Sequence, residues 1–337
     1  MKRFNILIIL AAMLSLASCD GNSGPWHDGS ALDAAVSLKG WEAGGPLLCG
    51  YNHELIGRYA RSTGRHAEIF LSGHGDSILD SLRSGKLDLV AFPYVDSLAV
   101  DSTMLCIPSD SCGVWVFRKD REIEAKKASE WIKDFRSQAC YPTVKQPFFD
   151  IYNPLTRVSA DFISPYDSLI KVYADTLGWD WKLLAAMIYQ ESKFHIEARS
   201  EAGASGLMQL LPGTAKAYGC HNLIDPEQNI RAGVKLLLKV RKRYSKLAAD
   251  PAELTKFTLA AYNAGTGRLG DCINYARHLG ADVSKWDNVA AVIPDMRHDS
   301  IAALDTIKYG KFAGGRETVS YVRKVRRFHE RYRHICP

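Results

Sequence analysis

The sequence has no Cys-x-x-Cys and no His-Glu-x-x-His, and its 10 histidines are scattered. The usual zinc-ligand spacings are therefore missing, and a metal site is not expected. The Gly-rich stretch Ser72-Gly73-His74-Gly75-Asp76 lacks the lysine and spacing of a phosphate-binding loop and reads as a turn and helix cap. Long apolar runs are also lacking. Residues 6–14, behind Lys2 and Arg3, are too few to span a bilayer and fit a secretory signal. Charge is little biased, at +6 net, which would attract an acidic polymer only weakly. The most visible basic cluster is Arg323, Lys324, Arg326, Arg327, Arg331 and Arg333. It reads as the solvated face of a terminal helix rather than a nucleic-acid patch. Tyr321, Val322, Val325 and Phe328 supply the apolar side of that helix at three- and four-residue steps.

What the chain does have is length and apolar content: 337 residues, 47% hydrophobic, are enough for two cores. The expected division is a signal at 1–18, a polar, Gly-containing tether at 19–40, an α/β domain at 41–153 and a mainly helical domain at 160–337. The Pro-containing stretch 147–165 marks the boundary. The signal ends in Leu16-Ala17-Ser18-Cys19, which resembles a lipobox. That resemblance implies cleavage before Cys19, lipidation of its thiol and attachment to a membrane by more than one acyl chain. The alternative is an ordinary signal peptide with a chance cysteine. Setting Cys19 aside, Cys49, Cys106, Cys112, Cys140, Cys220, Cys272 and Cys336 remain, an odd number. An exported chain permits disulfides, and Cys106–Cys112 and Cys220–Cys272 are plausible pairs.

In the first half, strands are expected at 46–50, 66–71, 87–92 and 113–117, with helices at 53–62, 76–83 and 126–135. The alternation argues for a parallel α/β sheet. This half resembles one lobe of a periplasmic solute-binding domain, through Ser81-Leu82-x-x-Gly85-Lys86-Leu87-Asp88-Leu89 and the late strand with its following helix. Only residues 93–112 stand where a second lobe would be inserted. The lobe and its ligand cleft are expected to be missing, leaving a reduced regulatory or scaffolding module.

In the second half, helices are expected at 166–177, 214–218, 227–246, 251–262, 268–279, 288–292 and 318–333, besides the one that matters most. That helix follows Asp180, a plausible N-cap, and runs through Ala185-Ala186-Met187-Ile188-Tyr189-Gln190-Glu191. Leu184, Met187 and Ile188 lie seven, four and three residues before Glu191. A 3.6-residue period puts the carboxylate on their apolar face, close to the C-terminal end of the helix dipole. Desolvation and the dipole both raise its pKa, as a general acid requires. On spacing alone, Glu191 could equally be the last solvated residue of an amphipathic helix.

The residues that follow decide between these. Glu191-Ser192-x-Phe194 and Ser200-x-x-Gly203-Ala204-x-Gly206-Leu207-Met208-Gln209 come first. Then come Asn229-Ile230-x-Ala232-Gly233, Ala260-Ala261-Tyr262-Asn263-Ala264-Gly265 and Glu317-Thr318-x-x-Tyr321-Val322. In this order the set resembles the soluble-lytic-transglycosylase domain of the lysozyme-like superfamily. The stretch 308–316 is most similar to the membrane-bound lytic transglycosylase F family, whose members carry a solute-binding-like domain ahead of the catalytic one.

The resemblance implies an enzyme that cuts the β-1,4 bond between N-acetylmuramic acid and N-acetylglucosamine in peptidoglycan. It leaves 1,6-anhydro ends and uses neither water nor a cofactor. Glu191 would be the sole catalytic acid and base. Ser200, Met208, Gln209, Tyr262, Asn263, Glu317 and Tyr321 would bind substrate, Met208 by apolar contact and Gln209 by its amide. Glu317 would take a sugar hydroxyl or a muropeptide amine. Glu197 and Glu201 are read as solvated loop charges. The expected partners are glycan strands and, through Cys19, a membrane, with the outer membrane facing the periplasm as the expected location. The rival readings are a muramidase on the same fold, a wall-binding scaffold without catalysis, and a solute sensor built on the first half.

Overall fold

The computed structural model describes residues 31–38, 47–72, 75–92, 101–110, 113–150 and 161–334. Cys19, the signal and most of the expected tether lie outside the described residues. The chain divides into two compact units, Met1–Ile151 and Tyr152–Pro337.

The first unit is built on a five-stranded sheet of order β2-β1-β3-β5-β4. Its strands are β1 (Leu32–Ser37), β2 (Ala67–Ser72), β3 (Leu89–Phe92), β4 (Met104–Asp110) and β5 (Gly113–Arg118). β1 runs parallel to β2 and β3, whereas β5 is antiparallel to both β3 and β4. The sheet is therefore mixed, not parallel as the alternation implied. β4 lies in the segment 93–112, where no strand was expected, and it pairs back onto β5 as an antiparallel neighbour. β1 corrects the expected tether. Its run Leu-Asp-Ala-Ala-Val-Ser is rich in residues with weak strand preference, yet it is buried at the middle of the parallel pairs. The expected strand at 46–50 is instead the start of α1 (Leu48–Ser62). A short apolar run does not by itself distinguish strand from buried helix.

β3 and β5 are buried along nearly their whole length, so both faces are covered. Val114 and Val116 join Ile78, Leu79 and Leu82 of α2 (Gly75–Arg83) in one apolar cluster. The alternate residue Trp115 points the other way, into an aromatic group with Tyr59 of α1 and Trp131 of α3 (Glu122–Ser137). A short α4 (Tyr141–Phe149) closes the unit, with Phe148 and Phe149 against Tyr51.

The second unit is helical. Its helices are α5 (Asp167–Leu177), α6 (Trp181–Ser192), α7 (Pro212–Ala217), α8 (Pro226–Tyr244), α9 (Pro251–Ala264), α10 (Thr266–His278), α11 (Trp286–Val292), α12 (Asp299–Ala302) and α13 (Gly315–Tyr332). The capping chemistry agrees with the sequence. Asp180 accepts from Lys182 N, Asp250 accepts from Ala252 N and Glu253 N, and Gly178 ends α5 at φ 66°. Gly265 ends α9, and Gly267 lies inside α10. There the Tyr309 ring sits 2.4 Å from where a Cβ would be, which explains the missing side chain.

α6 is central rather than amphipathic: every residue from Leu183 to Tyr189 is buried. Its last turn is fixed by α13, where Phe328 and Tyr332 meet Tyr189 edge-on at 5.2 and 6.4 Å. The solvent side of α13 carries Arg323, Arg326 and Arg327 to the surface. Cys220 and Cys272 are buried free thiols, so that expected disulfide is absent. Cys106 is also free, and its expected partner Cys112 lies outside the described residues. Among the described residues, no helix is long and apolar enough to cross a membrane.

Truncating Phe328 to Ala would remove the ring that seats α13 on α6. We expect a loss of about 3 kcal/mol in the unfolding free energy of the helical unit, measured by urea denaturation followed at the far-UV helix signal.

Candidate active site

The site starts at the end of α6. The helix stops abruptly because Lys193 and Phe194 both take left-handed conformations, at φ 54° and 67°. Such angles are unfavourable for side chains of this size and cost roughly 1–2 kcal/mol each. Packing and hydrogen bonds hold them. Phe194 is fully buried, its N–H donates to Ser192 Oγ at 3.1 Å, and the Lys193 N–H donates to Tyr189 O at 3.0 Å. The Lys193 side chain folds back to donate to the same carbonyl and lies over the Tyr189 ring at 4.4 Å.

This turn sets the Glu191 carboxyl into the wall of the unit. Tyr321 of α13 donates its hydroxyl to Glu191 Oε1 at 2.5 Å. Burial raises the Glu191 pKa to about 7, against the opposing pull of the Tyr321 bond and of the Lys193 charge. Tyr262 lies close enough for the Glu191 charge to act on it, and its hydroxyl donates to Met208 O at 2.7 Å. Both phenols are held well above their ordinary pKa, first by burial and then by the Glu191 charge. They remain donors at any physiological pH. A carboxyl poised between its two forms near neutrality, beside two fixed donors, can give up a proton and take one back.

Two of the sequence motifs form a clamp behind this group. Asn229 of α8 is fully buried. Its Oδ1 accepts from Met208 N at 2.8 Å, and its Nδ2 donates to Leu223 O at 2.8 Å and Ser205 O at 3.2 Å. A Cβ on Gly206 would stand 2.1 Å from Leu223 O, and one on Gly233 would stand 2.3 Å from Met208 Sδ. One helical turn therefore supplies both the amide that holds the 205–210 loop and the gap that receives Met208.

Two of the residues expected to bind substrate turn their side chains inward. The Met208 side chain is wholly buried against Gly233, and only its carbonyl serves the site, by fixing Tyr262. Gln209, at φ 48°, directs its amide inward to Ala198 O and Gly206 O at 2.9 and 3.0 Å. Its side chain braces the loop. Ser200 is exposed, and its Oγ accepts from Ala204 N at 3.0 Å, closing a turn in the same loop. Glu197 is not a solvated charge: it is buried, with His195 Nδ1 at 3.0 Å from its carboxylate. Glu201 is exposed, as expected.

Asn263, Glu317 and Tyr321 come together in a pocket of about 430 Å³, completed by Gln190, Arg316, Ser320 and Lys324. Sequence reasoning did not single out these last four. Their signal was available, since residues 316, 317, 320, 321 and 324 share one face of a helix. Asn263 Oδ1 accepts from Thr318 Oγ1 at 2.8 Å, linking α9 to α13.

Because Glu191 holds its proton more tightly in the folded chain than at its ordinary value of 4.5, folding takes up a proton between these pH values. Its contribution therefore turns unfavourable as pH rises from about 4.5 to about 7. Glu191→Gln should match the wild type in stability near pH 4 and exceed it by about 3 kcal/mol above pH 8. Urea unfolding across this range measures the difference.

Residues 168–284 match the family model "Transglycosylase SLT domain". The match spans Glu191 to Asn263, while Glu317 and Tyr321 lie beyond it. A protein of Desulfosudis oleivorans named membrane-bound lytic murein transglycosylase F is 37% identical over 190 residues, covering 56% of this chain and 39% of that protein. Its namesake in Marinobacter nauticus is 30% identical over 306 residues, covering 84% of this chain and 59% of that protein. The chain thus spans 39% and 59% of these two curated relatives, less than two thirds of either. The crystal structure of the 70 kDa soluble lytic transglycosylase of Escherichia coli is 30% identical, over 50% of this chain and 24% of that one, with a TM-score of 0.33. The chain is thus similar to the membrane-bound lytic murein transglycosylase F proteins over part of their length, and its residues 168–284 match the SLT domain model.

Proposed function

We propose that the chain is a peptidoglycan lytic transglycosylase with Glu191 as its only catalytic residue. The observation that carries this reading is a carboxyl with a pKa of about 7 hydrogen-bonded by Tyr321. The protonated Glu191 gives its proton to the oxygen joining N-acetylmuramic acid to N-acetylglucosamine, and the C1–O4 bond breaks with the pair of electrons leaving on oxygen. Positive charge develops at C1. The Glu191 carboxylate then takes the proton of the muramyl 6-hydroxyl as that oxygen bonds to C1, closing the 1,6-anhydro ring. The proton is returned and no water is consumed.

Tyr321 serves this cycle by steadying the charged form of Glu191 between the two transfers. The proton affinity of Glu191 is raised by burial and lowered by Tyr321 and Lys193. Ordinary glycosidases add a second carboxylate to activate water or to attack, a role this reading gives to Glu191 itself. Asn263 and Glu317 line the pocket beside Tyr321 and are assigned to substrate. Ser200, Met208 and Gln209 act by shaping the loop.

We assign the division into 1–18, 19–40, 41–153 and 160–337 to signal, tether, accessory and catalytic segments, with β1 moved from the tether into the accessory domain. Lipidation of Cys19 would attach the protein to the cell envelope, at the outer membrane facing the periplasm. The relatives' description as membrane-bound supports an envelope location.

Digestion of purified sacculi followed by mass spectrometry should give muropeptides lighter by one water than a hydrolase would release; products at the hydrated mass would mean a muramidase. Glu191→Gln should lower the rate at least about 10³-fold while leaving the protein folded. Tyr321→Phe removes a bond that favours the carboxylate, so the alkaline limb of the pH–rate profile should move to higher pH.

A further inference from the structure

The pocket beside the acid holds more charge than the reaction uses. Arg316, Glu317 and Lys324 all line it, on one face of α13, and all three are exposed. None of the three has a hydrogen-bond or ion-pair partner among the described residues. Several charges elsewhere are paired, Arg65 with Glu124, Arg118 with Asp120 and Lys256 with Glu253. Lys324 is also close enough to Lys193 to depress that ammonium's proton affinity, and Lys193 acts in turn on Glu191. Three cations, Lys193, Arg316 and Lys324, therefore gather on the side of the acid where Tyr321 is shared between the pocket and Glu191.

We propose that the Arg316–Lys324 pocket binds a carboxylate carried by the muramyl residue at the cleaved bond. Glu317 then faces the cationic or hydroxyl portion of the same substituent. This rests on the function proposed above and names the part of the substrate that the chain selects. Neutral glycan offers these residues nothing to neutralise. A muramyl residue does, either through the lactyl carboxylate once its peptide has been removed or through carboxylates of an intact peptide stem. An Arg fork and a Lys point charge, opposed by a single Glu, suit a carboxylate whose neighbouring atoms are polar. The cavity, at about 430 Å³, has room for more than a lactyl group.

The test uses Glu191→Gln as a binding-competent background, so that it does not depend on turnover. Affinity is measured for three soluble ligands: glycan strands bearing peptide, strands stripped by an amidase, and neutral N-acetylglucosamine oligomers. Adding Arg316→Ala and Lys324→Ala together should weaken binding to at least one muramyl ligand, relative to the neutral oligomer, by about tenfold or more. Raising the salt concentration should erase the difference. Loss confined to peptide-bearing strands identifies the stem as the source of the carboxylate. Loss on the stripped strands identifies the lactyl group. An unmoved ratio for both muramyl ligands overturns the proposal. Catalysis is read separately, in wild-type protein, from the mass of the products. Inert wild type with a charge-dependent ratio would defeat the proposed function and leave the pocket assignment standing. Thermal melts confirm that the exposed-site variants remain folded.

Discussion

One contact organises the helical unit: a phenol from α13 donating to a carboxyl at the end of α6, across 130 residues of chain. The carboxyl is half-buried, and this bond and the Lys193 charge favour its ionised form against the burial that opposes it. Without burial the group would be ionised at neutral pH and have no proton to give. With burial alone its charged form would be harder to reach. The fold holds the group between these limits, through burial on one hand and Tyr321 and Lys193 on the other.

The packing shows how. α6 is buried from Leu183 to Tyr189, so its neighbours place it, and α13 contributes both the aromatic seat under Tyr189 and the hydroxyl on Glu191. On the other flank, Asn229 and Gly233 hold the 205–210 loop, the loop's Met208 carbonyl fixes Tyr262, and Tyr262 stands within reach of the Glu191 charge. The left-handed turn at Lys193 and Phe194 is strained and is kept by the same contacts. Strain of this kind persists where the surroundings over-determine it, next to the group whose position matters most.

The helices of the second unit were legible because their signals are local: Asp180 and Asp250 as caps, Gly178 as a stop, apolar steps along α13. Glu191 stood out because its spacing and the motifs after it agree. What could not be read was the direction in which side chains point after a tight turn. Gln209 and Met208 lie in a motif that suggested substrate, but the positive φ at Gln209 turns its amide to the backbone and Met208 fills the gap at Gly233. In the first unit the alternation of strand and helix was visible, but pairing direction was not. β1 carries no β-branched run, and the antiparallel return of β4 depends on a partner later in the chain.

The order in which the chain is made gives the Tyr321–Glu191 bond a temporal meaning. Glu191 leaves the ribosome well before α13 exists, and a chain emerging N-terminus first has its acid long before it has the aromatic seat and the phenol. Until then α6 has no wall on that side, its carboxyl meets water, and it ionises like any surface glutamate. A chain without α13 would have neither the phenol on Glu191 nor the aromatic seat under Tyr189.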